Sequence, residues 1–384
     1  MNVNVSGPKS DEDDESHRSD ISRSLLAAAT QGWLHDPVFK PYYHDTGYIV
    51  AADSEAAIAQ IDVRKKRPQN TDITIFTTPE EFRKTMPEGV LTGDFPGWQG
   101  YFKKTGAGWV HARKAMVSAA TEAKRLGVRF VSGSSEGTVT GLVYEGGDVV
   151  GARTADGREH RASRTILCAG ANSNQLLDLE NQLRPTAWTL AHIKLTAEEA
   201  KLYKDLPVLF NIEKGFFMEP DEDKHELKIC DEHPGYCNWV RDVRGKLISM
   251  PFARNQVPKE AEQRVRSFLR ETMPQLAERP FSFARICWCA DTPDRAFLID
   301  YHPKYASLVL GVGGSGHGFK YIPSVGGYIA DKMEGRLDEN LAHAFRWRPD
   351  TAIDRDWQDT QGRFGGPNKV MDFQKVREWT KIST

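Results

Sequence analysis

The sequence predicts a mixed α/β fold in which an antiparallel sheet is inserted into an α/β body, and three observations carry that prediction. Strand-like and helix-like segments alternate up to about residue 184 and again after about residue 280. Between residues 185 and 255 the character changes: "WTLAHIKL", "PVLFNI", "GFFMEP" and "ELKICDE" are short apolar runs separated by turns, as in antiparallel strands. At 384 residues the chain also exceeds what one hydrophobic core usually serves. It leaves one body, builds a sheet and returns, which predicts two interleaved domains with a site between them.

The opening "MNVNVSGPKSDEDDESHRSD" is polar and acidic and is expected to be solvated, with order beginning near Ile21 in the helical spacing of "ISRSLLAAATQGWL". In "GWVHARKAMVSAATEAKRLG" a stripe of Ala112, Ala115, Met116, Ala119, Ala120 and Ala123 at three- and four-residue spacing predicts a helix lying close on a sheet, ended by Gly127. A strand "VRFVSG" is expected next. Gly-Gly and Asp-Gly turns within "TVTGLVYEGGDVVGARTADGREHRA" then predict a meander of hairpins. "RTILCAGANSNQLL" reads as an apolar strand turning into a helix. "PKEAEQRVRSFLRETMP" reads as a helix with Pro258 near its first position and Val265, Phe268, Leu269 and Met273 on one face. A last helix is expected from Pro323 to about Glu334.

Composition excludes several classes. Hydrophobic residues are 39%, charged residues 27% and the net charge is -2, with no basic patch to attract nucleic acid. No run approaches eighteen apolar residues and the N-terminus lacks a hydrophobic signal core, so no membrane partner is expected. Five scattered cysteines are an odd number, which speaks against a disulfide framework and for a reducing compartment. The final "KIST" is not a peroxisomal signal, so a monomer in the cytosol is the expectation.

Two stretches ask for chemistry. Cys287 and Cys289, in "RICWCADTPDRAFLIDYHP", lie one residue apart on a strand, where both thiols point the same way without reaching disulfide geometry. Downstream, Gly311, Gly313 and Gly316 satisfy G-x-G-x-x-G, with Glu334 at the distance of a ribose-binding acid. The segment after the next helix, "EGRLDENLAHAFRWRPD", is too polar for the second strand such a fingerprint needs. The loop still allows close backbone approach before a helix N-terminus, which suits an anion or an electron-rich ring.

"RTILCAGANSNQLL", "RPTAWTLAHIKLT", "GFFMEPDEDKHELKICDEHPGY", "RPFSFARICWCADTPDRAFLIDYHP", "SGHGFKYIPSVGG" and "GRFGGPNKVMDF" together resemble the fungal fructosyl amino acid oxidases, or amadoriases, of the sarcosine oxidase-like FAD-dependent amine oxidases. The resemblance runs from about residue 25 to the C-terminus. It implies a Rossmann-like FAD-binding domain (1–30, 105–184 and 280–384) interleaved with an antiparallel-sheet substrate domain (31–104 and 185–279). It also implies oxidation of the C–N bond of a glycated amino acid with oxygen as acceptor, giving glucosone, amino acid and hydrogen peroxide.

The resemblance assigns roles as well. Cys287 matches the cysteine joined by a thioether to the flavin, with Cys289 a packed neighbour. Lys228 matches a lysine that speeds oxygen reduction, although taken alone it fits a surface lysine at a strand edge. Glu232 and Arg363 match the pair that holds the amino acid part of the substrate. Gly314, Ser315, Gly316, His317 and Gly318 would face the ring, His317 being equally compatible with a structural role at a tight turn, and Lys320 would touch sugar hydroxyls or the flavin. The opening "MNVNV" aligns with a family segment after the first strand–GxGxxG–helix–strand unit, which implies that this unit is missing; Asn4 matches a substrate-side asparagine, and Val5 replaces a lysine. Loss of that unit would expose apolar surface and unpaired backbone. Two other readings stay open: a remnant that binds glycated amino acids without flavin, and an amine oxidase of the sarcosine, pipecolate or saccharopine type.

Overall fold

The computed structural model describes residues 12–66, 70, 72–242, 245–352 and 370–382, with the backbone alone for residues 12–19, 233 and 234. Asn4, Val5 and Arg363 lie outside the described residues. The fold is mixed α/β, as the sequence predicts.

Its centre is a nine-stranded sheet. From one edge the strands run Phe281–Asp291, Arg184–Lys194, Glu226–Cys237, Gly215–Phe217, Val208–Asn211, Tyr48–Ala52, Gln99–Lys103 and Thr74–Phe76, with Met371–Asp372 pairing the end of Glu226–Cys237. The first three are the cysteine strand, the central strand and the lysine strand below. All neighbours are antiparallel except Val208–Asn211 with Tyr48–Ala52 and the short Met371–Asp372 contact. The cysteine strand thus belongs to this sheet, although a domain boundary at 280 assigns it to the other domain. Its ten-residue pairing with the central strand outweighs its closeness in sequence to the strand Leu298–His302.

One face of the sheet is closed by the helix Lys259–Thr272. Val265, Phe268, Leu269 and Met273 are all buried there, with Ile49, Ala191, Ile193, Phe217, Leu227, Ile229 and Ala284 from the strands. Phe268 stacks on Trp98 and meets Phe217, with ring centroids 6.0 Å and 5.4 Å away. The helix Glu55–Lys65, whose N-cap Ser54 accepts from the Ala57 amide, packs on the other face through Ala57 and Ile61.

A second core surrounds a three-stranded sheet in which Tyr305–Val312 runs antiparallel to Leu298–His302 and parallel to Thr165–Leu167. The helix Ile322–Met333 packs here beside the helix Glu12–His35, which approaches so closely that a Cβ on Gly32 would collide with Pro323. The hairpin meander appears as expected (Val139–Glu145, Asp148–Thr154 and Glu159–Arg161), its first turn supplied by Gly146 and Gly147, both at positive φ.

Two expectations change and one is refined. The first helix starts at Glu12, not near Ile21, in keeping with the preference for acidic residue types in a first helical turn. The alanine-striped helix forms at Ala112–Arg125, and Ala115 and Ala119 pack with Trp33, Ile322 and with Tyr43 and Val110 of the small sheet Tyr43–His44/Trp109–Val110, not with the large sheet. Residues 128–133 form no strand, because none of the described strands lies alongside to take their hydrogen bonds. Val128, Phe130 and Val131 are 52%, 50% and 52% exposed, and Met116, Val117 and Leu126 are exposed apolar side chains as well.

The contrast between the two apolar regions is measurable. Phe268→Ala is expected to cost about 3–5 kcal/mol in urea unfolding. Phe130→Ser with Val131→Ser should shift stability by no more than about 0.5 kcal/mol while lowering the binding of a fluorescent apolar dye.

Candidate active site

Strand register gathers the candidate residues. Cross-strand partners in a sheet project from the same face, as do residues two apart along a strand. Leu190 of the central strand lies opposite both Cys230 and Arg285, while Trp188 lies opposite Cys287, Thr186 opposite Cys289 and His192 opposite Lys228. Cys230 in turn faces Phe216, Phe216 faces Phe210, and Phe210 faces Val50. Lys228, Cys230, Cys287 and Cys289 therefore share the face turned away from the helix Lys259–Thr272. Glu232, two residues beyond Cys230, continues the same row.

Electrostatics agree with this placement. Burial pushes the Cys230 thiol up to about 12; the Lys228 charge opposes the rise, and Cys287 and Glu232 add to it. Cys230 is accordingly a neutral thiol packed among the site residues. The Lys228 ammonium lies 5.9 Å from the Phe216 ring centroid, and His192, beside it, hydrogen-bonds Glu226 through Nδ1 at 3.0 Å. Burial holds the His192 pKa below its usual value against the pull of Glu226. Cys287 and Cys289 are half-buried, and all five cysteines are free thiols.

The glycine-rich loop docks at the far end of the cysteine strand. Ser315 is buried at φ 44, its amide donating to the Ala290 carbonyl at 3.0 Å and its hydroxyl accepting from the Thr292 amide at 3.1 Å. Arg295 donates to the Ser315 carbonyl at 2.6 Å. Ser315 thus anchors the loop, with its side chain turned inward. Gly311 and Gly313 serve packing: a Cβ on Gly313 would meet Thr292 at 2.7 Å, and one on Gly311 would meet Ile329 at 2.7 Å and Cys168 at 2.8 Å. Glu334 ends the helix Ile322–Met333, so the G-x-G-x-x-G spacing here reflects close packing. His317 donates from Nδ1 to the Ser315 carbonyl at 3.1 Å and packs near Phe297 and Tyr321.

Lys320 is placed differently. Its carbonyl accepts from Trp33 Nε1 at 2.7 Å, tying the loop to the helix Glu12–His35, and its ammonium lies 4.9 Å from the Tyr321 ring centroid. Burial, and secondarily the Arg295 charge, push its pKa down to about 8. Part of the side chain reaches solvent, while the ammonium lies among protein atoms.

These residues fit a planar ring that takes on negative charge. Glycine at 314 and 318 keeps this stretch free of side chains: a Cβ on Gly314 would meet the Gly318 backbone at 3.6 Å, and without side chains there a flat group can approach backbone. A half-exposed thiol and two lysines are on hand. No group of three or more His, Cys, Asp or Glu that could hold a metal occurs among the described residues. Sequence reasoning passed over Cys230, Trp188 and Phe216; the two-residue spacing of Lys228, Cys230 and Glu232 signals the first, whereas the other two depend on register.

The Lys320 shift sets a sign. An unfolded lysine titrates at roughly 10.4, so between about 8 and that value the unfolded chain binds more protons and the Lys320 contribution to stability rises with pH. It is lost as pH falls through about 8. Urea unfolding at pH 7 and pH 10 should show the protein gaining stability relative to Lys320→Met over this window.

Comparison with known proteins places the whole. Residues 12–332 match the family model described as FAD dependent oxidoreductase. The structure superposes on the fructosamine oxidase Amadoriase II of Aspergillus fumigatus in complex with FSA with a TM-score of 0.94 at 56% identity, covering 99% of this chain and 86% of that one. Amadoriase I of the same organism, a fructosyl amine:oxygen oxidoreductase, gives 0.93 at 59% identity over 100% and 86%. The L-saccharopine oxidase of Schizosaccharomyces pombe is 29% identical over 346 residues, 85% of this chain and 79% of its own. No helix among the described residues is long and apolar enough to cross a membrane. The sheet face, the loop and these likenesses lead to one conclusion: the chain belongs to the FAD dependent oxidoreductases and, within them, to the fructosamine oxidases.

Proposed function

We propose that this protein oxidises the C–N bond of fructosyl amino acids, using FAD and dioxygen. The observation that supports it best is the shared sheet face bearing Lys228, Cys230, Glu232 and Cys287, in a chain 56–59% identical to two fructosamine oxidases. When bound, FAD supplies the two-electron acceptor and passes the electrons on to dioxygen.

The protein's own residues position and stabilise. Cys287, half-exposed on that face two residues before Cys289, would hold the flavin through a thioether. The backbone from Gly314 to Gly318 would face the ring edge, with Ser315 fixing the loop. Lys228 offers a fixed ammonium to the negative charge that dioxygen acquires on reduction. Glu232 and Arg363 take the charged groups of the amino acid part, Arg363 as a bidentate carboxylate partner. Lys320, near its titration point at neutral pH, hydrogen-bonds sugar hydroxyls or the ring. The five free thiols support a reducing, cytosolic setting.

A visible spectrum of the purified protein, repeated on the acid-denatured pellet, tests the proposal. Yellow colour should stay with the pellet and move to the supernatant in Cys287→Ala. Peroxide release is expected with fructosyl amino acids and not with saccharopine, sarcosine or pipecolate, and Lys228→Met should slow reoxidation by oxygen about 10²–10³-fold. A colourless protein that takes up no added FAD would contradict the oxidase reading. Peroxide from saccharopine alone would move the substrate to that of the yeast relative.

A further inference from the structure

The lysine strand leaves regular pairing at one place. Against the central strand, Thr189 faces Asp231 and Ala187 faces Tyr236, so Trp188 alone stands opposite four residues, Glu232 to Gly235. Gly235 closes this excursion at φ +82, and a Cβ there would meet the Trp188 ring at 3.0 Å. The excursion carries Glu232.

Both of its ends are held by one side chain. Arg264, on the helix Lys259–Thr272, donates from Nε and Nη2 to Asp231 Oδ2 at 3.0 Å and 2.8 Å and from Nη2 to the Tyr236 hydroxyl at 2.9 Å. Asp231 is 3% exposed and lies on the face opposite Glu232, and Thr189 Oγ1 adds a further contact to it at 3.4 Å. The Tyr236 hydroxyl, accepting from Arg264, donates to Glu260 at 3.3 Å, and its ring stacks on Phe373 at 4.8 Å. A planar guanidinium with fixed donors can span the two ends; a lysine cannot span both in the same way.

We infer that Arg264 is a positioning residue for Glu232: by clamping Asp231 and Tyr236 from behind the sheet, it fixes the four-residue excursion and thereby the grip on the amino acid part of the substrate. This rests on the role proposed for Glu232. Arg264 touches no reacting atom, and its influence passes through the backbone.

Steady-state kinetics of the flavin-loaded enzyme test it, using a fructosyl amino acid and a fructosyl alkylamine that lacks the amino acid groups. Arg264→Lys should raise KM for the first about tenfold, with a smaller change in kcat, and leave KM for the second unmoved. Adding it to Glu232→Gln should bring little further loss, because both act on one contact. Hydrogen exchange over residues 231–237 reads the excursion itself and should quicken in Arg264→Lys. Should that variant fail to fold, Arg264→Met with Asp231→Asn removes both charges and takes its place. If Glu232→Gln leaves KM unchanged while exchange still quickens, the Glu232 assignment falls and the clamp stands. Equal KM losses on both substrates, or unchanged exchange, would overturn the inference.

Discussion

Register in the large sheet is the constraint on which the site depends. Side chains alternate along each strand, so a slip of one residue between the central strand and either neighbour would turn Lys228 or Cys287 to the wrong face. The other face prevents it. Ala191, Ile193, Leu227, Ile229 and Ala284 are locked against Val265, Phe268 and Leu269, and a slip would bring a lysine ammonium into that core. Burying an unpaired charge costs far more than losing any one apolar contact. The apolar face thus guards the position of the polar one.

Charge at the site is held where solvent is partly excluded, and the surroundings set the protonation of its groups. Cys230 remains a thiol because burial outweighs the nearby Lys228 charge. Lys320 exchanges between ammonium and amine not far above neutrality because it is sunk beside Arg295 and Tyr321. Low local polarisability makes both lysines act more strongly on a neighbouring anion than they would in water. The loop carrying Lys320 keeps its shape through Ser315, whose bonds reach Ala290, Thr292 and Arg295.

Local chemistry was legible in the sequence; long-range partnership was not. The helix Lys259–Thr272 could be read from Val265, Phe268, Leu269 and Met273, and the meander from Gly146 and Gly147, because spacing and turn residues act within a few positions. The common side of Cys287 and Cys289 comes from strand periodicity alone. By contrast, the union of Lys228 with Cys287 needs the central strand between them, and the Arg264–Asp231 contact joins a helix to a strand through tertiary packing. The expected strand at 128–133 shows the reverse case, since suitable residues form no strand without a neighbour. The alanine stripe indicated a helix close on a sheet but not that the sheet would be the two-stranded one at Tyr43 and Val110.

The parallel contact between Tyr48–Ala52 and Val208–Asn211, together with the pairing of the central and cysteine strands, gives the sheet a high contact order. Loop-closure entropy must be met before such pairings form, so sheets of this kind fold slowly. During synthesis the N-terminal strands emerge well before their partners, and the face bearing Cys287 is completed only once residue 291 has left the ribosome. Until then the strand edges are open to other chains, and assembly of the site becomes a kinetic race between closure of the sheet and aggregation.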